Sequence, residues 1–248
     1  MKKLLLKKII LIIMLLITAM FVSGCQWFTW EDEQIIEGDK KSYSMDPTTL
    51  LKSLAEGNID IFILQTTTPP PTPNLLPMPV TWRQSDYFSI AQAFHQFAFG
   101  QSLADWKLKN MTFTTSCENV PVGLQYGDFS FKKNEKDSLI TRFIYVSPGE
   151  NNIGYSEYLK KYYPELGIGS FLDLTQVKIT AEQALQIAES AGGSKFRKEW
   201  GDDCRVFISI DSAGRYKGWE IWYSPNNSQN PRFSILVDET TGKYIILR

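Results

Sequence analysis

The chain is poor in the residues that most often carry chemistry. In 248 residues it has one histidine and three cysteines, and its charges nearly cancel, 26 Lys+Arg against 27 Asp+Glu. With His95 alone, no H-E-x-x-H zinc motif exists, and no Cys/His cluster replaces it. There is no G-x-S-x-G elbow and no glycine-rich loop with phosphate-binding spacing between a strand and a helix. Ser130-Phe131-Lys132-Lys133 matches S-x-x-K, but on a strand-like stretch without the companion motifs. His95 reads as a helix residue bordering core or solvent. Asp202, Asp203, Asp211, Asp238 and Glu239 read as turn residues rather than calcium ligands. The expectation is a non-enzyme with no catalytic residue, no metal and no cofactor.

What is present fits a globular protein: 43% hydrophobic and 13% aromatic residues, which excludes collagen-like, coiled-coil and wholly disordered chains. The charge is unevenly placed. Residues 1–24 hold Lys2, Lys3, Lys7 and Lys8 and no acid, leaving 22 Lys+Arg against 27 Asp+Glu, a net −5, in the remainder. An acidic body lacks the basic face that displaces counterions, so no nucleic-acid partner is expected.

The basic start is followed by an apolar run over 9–22. As a helix it would span about 21 Å, short of the roughly 30 Å hydrocarbon core, which describes a signal peptide better than a spanning helix. The run ends in Val22-Ser23-Gly24-Cys25, which resembles the lipobox of bacterial lipoproteins. The resemblance implies cleavage before Cys25 and lipidation of Cys25. It places the chain at the extracytoplasmic face of the cell membrane or outer membrane, held by lipid. The alternative is an uncleaved anchor with the same sidedness. Gln26 carries no inner-membrane retention signal. Once Cys25 is lipidated, Cys117 and Cys204 remain as a pair in an oxidising compartment. A disulfide between them is expected, with two buried thiols as the alternative.

Residues 25–80 read as a tether with a short helix capped at Asp46-Pro47, an apolar run over 59–64, and the stiff Pro-rich stretch 66–73. A helix follows from Ser85 or Asp86 to Gly100, with Tyr87, Ile90, Ala91, Phe94, Phe97 and Ala98 on the helical period. Strands are expected over 106–115, 127–132 and 139–146, then a short helix over 156–163. The order then repeats. Thr180 and Gln183 form a capping box, the helix stops at Gly192-Gly193, and strands follow over 204–211, 218–223, 232–237 and 244–247. The expected fold class is α+β: two helix-plus-antiparallel-sheet units, residues 81–170 and 171–248, as a diverged duplication behind residues 1–24 and 25–80.

Ile179-Thr180-Ala181-Glu182-Gln183-Ala184, the strand Trp219-Glu220-Ile221-Trp222-Tyr223, and Val237-Asp238 followed by Thr241-Gly242-Lys243 together resemble the PepSY family. The resemblance covers residues 175–248 and departs from the family at Cys204 and the 225–231 insert. It implies a non-catalytic extracytoplasmic module that binds a protein or peptide, or inhibits a protease, in the cell envelope. The competing expectation is a structural or scaffold lipoprotein. Alternation places Trp219 and Tyr223 toward the core and Trp222 with Glu220 on the opposite face, which is either a binding surface or the face that the first unit covers.

Overall fold

In the computed structural model, residues 35–65, 74–136, 138–161, 169–200, 203–214, 217–226 and 233–248 are described. Cys25, its lipobox and the 66–73 proline stretch lie outside them. The longest helix, α2 (Gln84–Phe99), follows from its sequence. Asp86 accepts from the Arg83 backbone N–H (2.8 Å) at its start, and Gly100 closes it in the left-handed region at φ 61°. Between these caps Tyr87, Ile90, Ala91, Phe94 and His95 are buried. A shorter helix, α1 (Leu50–Ala55), precedes it, in a turn where Asp46 accepts from both Thr48 and Thr49.

The strands are β1 (Ile35–Ser44), β2 (Ile63–Gln65), β3 (Lys107–Ser116), β4 (Tyr126–Glu135), β5 (Ser138–Ser147), β6 (Asn152–Lys161), β7 (Cys204–Asp211), β8 (Trp219–Pro225), β9 (Phe233–Val237) and β10 (Tyr244–Ile246). Helix α3 (Ala181–Ala188) starts on the expected Thr180/Gln183 capping box. As expected, the helical run breaks at the glycines, where Gly192 leaves helical geometry. A π-turn, Glu189–Gly193, with Gly192 at φ 144°, leads into α4 (Ser194–Glu199). A side chain at Gly193 would collide with the Tyr223 hydroxyl, so the turn passes close over β8 only because that residue is glycine.

The expected pair of separate helix-and-sheet units is overturned. The ten strands form one continuous sheet in the order β10-β9-β8-β7-β3-β4-β5-β6-β1-β2. It is a β-rich fold with four α-helices of 6, 16, 8 and 6 residues among the described residues. The join is the antiparallel pairing of β3 with β7, running from Asn110↔Asp211 to Ser116↔Arg205. The physical reason lies in β7, which has no charge between Arg205 and Asp211 and so carries none of the residues that protect a sheet edge. Its natural place is the interior of a sheet. The expected helix over 156–163 is also corrected. Residues 152–161 form β6, which pairs with β5 from Ser138↔Lys161 to Ser147↔Asn152.

Alternation and register put the apolar side chains of the central strands on one face, and the helices pack there. Met111, Phe113, Phe129, Ile144, Val206, Ile208, Ile221 and Ile235 belong to one hydrophobic core with Tyr87, Ile90, Phe94, Ala184 and Leu185 from the helices. Among the described residues no helix is long and apolar enough to cross a membrane.

Candidate functional site

The second face of the sheet bears no helix among the described residues. Antiparallel partners point to the same side, so the register lays out its rows directly. One row reads Leu236, Glu220, Ser209, Thr112, Asp128, Tyr145, Gly154. The neighbouring row reads Ser234, Trp222, Phe207, Thr114, Tyr126. An open sheet face would ordinarily be small and polar. This one carries two stacked aromatic pairs, Phe207–Trp222 at 5.3 Å and 12° and Tyr126–Tyr145 at 6.3 Å and 9°. Phe143, opposite Ser130, packs edge-on against Tyr158.

Between the aromatic pairs runs a polar strip. Thr112 Oγ1 and Ser209 Oγ share a hydrogen bond of 2.8 Å. Tyr145 donates to Ser42 Oγ (3.1 Å), which donates to Asn152 Oδ1 (2.7 Å). Gly154 makes room for this, since a side chain there would collide with the Tyr145 hydroxyl. Burial pushes the Tyr145 phenol up to about 12 and holds Tyr126 higher still, with Asp128 adding to the effect. Asp128 is the odd member. Its Oδ1 is buried and accepts no hydrogen bond, and burial pushes its carboxyl up to about 6 against the pull of the Phe129 backbone N–H.

The structure places the sequence-predicted residues as follows. Trp222 is half-buried on this face, held by Phe207, and Glu220 is exposed beside it, opposite Ser209. Cys117 and Cys204 form a disulfide with 5.2 Å between their Cα atoms, joining the turn after β3 to the first residue of β7. Asp128, Tyr126 and Tyr145 were not singled out by the sequence. The signal that could have found them was an acid two residues from an aromatic in an alternating strand, Tyr126-Gly127-Asp128.

A second constellation lies on the helix side, with His95, Arg142 and Trp106 buried and Phe99 and Glu157 partly so. The Arg142 guanidinium sits 3.5 Å from the centre of the Phe99 ring and 4.3 Å from that of Trp106. Its Nε donates to Glu157 (2.7 Å) and its Nη1 to His95 Nε2 (2.8 Å). His95 Nδ1 donates to the Gln101 carbonyl (2.9 Å), so both ring nitrogens are used by the neutral imidazole. Burial depresses His95 to about 4, with Arg142 adding to the effect. His95 is therefore buried in the core rather than at its border. Among the described residues no group of three or more His, Cys, Asp or Glu is placed to hold a metal ion.

No protein-family model, no curated protein and no solved structure matches this chain.

Proposed function

We propose that this chain is a non-catalytic, lipid-anchored extracytoplasmic module that binds an extended segment of an envelope protein, a protease among the candidates, across its helix-free face. One observation carries the reading: a face without helices that nonetheless holds stacked Phe207–Trp222 and Tyr126–Tyr145 pairs around a polar strip. Aromatic anchors on an accessible surface are the side chains that dominate protein recognition. The disulfide supports an oxidising compartment, and the lipobox resemblance supports anchoring at Cys25. The PepSY resemblance of residues 175–248 rests on its short motifs alone and supports binding over catalysis.

The test is photo-crosslinking in the native envelope from a benzoyl-phenylalanine at position 222, with position 92 on the outer side of α2 as control. A discrete adduct from 222 and none from 92 supports the reading. Equal labelling from both positions, or none from either, counts against it.

The scaffold reading has its own observation. At one edge of the sheet Tyr244, Ile245 and Ile246 are exposed, and at the other Ile63 and Leu64. Exposed apolar edge strands favour strand addition between chains. Sedimentation separates the two readings, because edge-to-edge assembly makes mass depend on concentration and binding across the face does not.

A further inference from the structure

We propose that the helix-free face selects extended segments bearing lysine or arginine, with Asp128 as the counter-charge and the flanking aromatic pairs as walls for the aliphatic stem. This deepens the function proposed above and rests on it. Asp128 Oδ1 is buried with no donor, and native proteins rarely leave such an atom without a reason. It belongs to an ionisable group in the middle of the sheet, two residues from Tyr126 and directly opposite Tyr145. A cation supplies the missing hydrogen bond and the missing charge together. Ring faces on either side attract the same ligand.

The surroundings agree. Lys132 lies on the same face but four residues along β4, about 13 Å away at strand rise, too far to neutralise Asp128. Glu220 lies in the same row three strands away, about 14 Å at ordinary strand spacing. Residues four apart in an extended segment are separated by about the same distance and point the same way. A segment lying across the strands would therefore present basic residues at i and i+4, one to Asp128 and one to Glu220.

The experiment is a fluorescence-anisotropy titration of the full chain at about 0.15 M salt, where surface attraction is screened beyond roughly 8 Å. The probes are a seven-residue threonine peptide with lysine at its second and sixth positions, and the same peptide with serine there. Binding of the lysine peptide at least tenfold tighter is expected. Asp128→Asn removes that preference, whereas Trp222→Ala weakens both peptides. Equal binding of the two peptides overturns the cation claim and leaves the binding face standing. No binding of either overturns both. Because Asp128→Asn acts inside the sheet, carbon-13 NMR of the wild-type Asp128 carboxyl provides a second readout. Saturating lysine peptide lowers its midpoint by at least one pH unit and the serine peptide leaves it in place. An unchanged midpoint with the lysine peptide overturns the proposal.

Discussion

Gln84 and Glu182 cap each other's helices. The Glu182 carboxylate, in the first turn of α3, accepts from the backbone N–H of Gln84, the first residue of α2. The Gln84 side-chain carbonyl accepts from the N–H of Ala181, the first residue of α3 (2.7 Å). Each helix thus satisfies one of the orphan donors of the other. The two helices are thereby tied to each other at their N-termini.

This reciprocity makes a measurable coupling. Glu182→Ala and Gln84→Ala should each destabilise by about 1 kcal/mol, the ordinary cost of a lost cap. In urea unfolding the double variant should lose less than the sum, with an interaction of roughly 0.5–1 kcal/mol. Strict additivity would mean that the two caps act separately.

Arg142 is held by geometry that lysine lacks. Its planar fork serves His95 and Glu157 while lying between Phe99 and Trp106. Arg142→Lys should cost about 2–3 kcal/mol in chemical denaturation, the range for a disrupted buried charged hydrogen bond. A cost below about 0.5 kcal/mol would show that the fork is not used.

Two buried groups set opposing pH dependences. His95 titrates near 6.5 unfolded and at about 4 folded. Its contribution is complete above pH 6.5 and is lost as pH falls toward 4, by about 3 kcal/mol at 1.36 kcal/mol per pH unit. Asp128 runs the other way. Its folded value of about 6 lies above the ordinary 3.8, so stability rises by about 3 kcal/mol as pH falls from 6 to 4. The groups facing Asp128 are Tyr126 and Tyr145, both neutral there, with Thr112 and Ser130 beside them and Lys132 four residues along β4. His95 faces Arg142, with Lys133 acting at longer range. The wild-type profile should be nearly flat between pH 6 and 4. Asp128→Asn should expose an acid-side loss and His95→Gln an acid-side gain. Parallel profiles for the two variants would contradict both assignments.

The disulfide closes a separation of 87 residues, worth about 4–5 kcal/mol in the chain-entropy model. Cys204→Ser should lower stability by that order in urea unfolding under non-reducing conditions. Thiol titration of the unfolded, unreduced protein should find no free thiol at Cys117 or Cys204. Two titratable thiols at those positions would refute the bridge.

Much of this was legible locally. The Thr180/Gln183 box, the alternation of Val206, Ile208 and Ile210, and the opposite facing of Trp219 and Trp222 are short-range patterns, and the structure keeps them. The sequence misled where the deciding partner was distant. Ser156-Glu157-Tyr158-Leu159 falls in the expected short helix, yet each residue finds a register partner in β5. The union of β3 and β7 spans about a hundred residues of sequence, and nothing within either strand names the other. Asp128 looks like an ordinary polar position in an alternating strand. Its lost solvation comes from Tyr126 and Tyr145 and from the strands on either side, which only the assembled sheet brings together.

The central claim is that the helix-free face is the binding surface. Amide chemical-shift mapping of the isotope-labelled protein during titration with the lysine-bearing peptide tests it most directly. Perturbations are expected to centre on Thr112, Asp128, Ser209 and Trp222, with the amides of Gln92 and Gln186 on the helices unmoved. Perturbations clustered on the helices or along β10, or none at millimolar peptide, would contradict it.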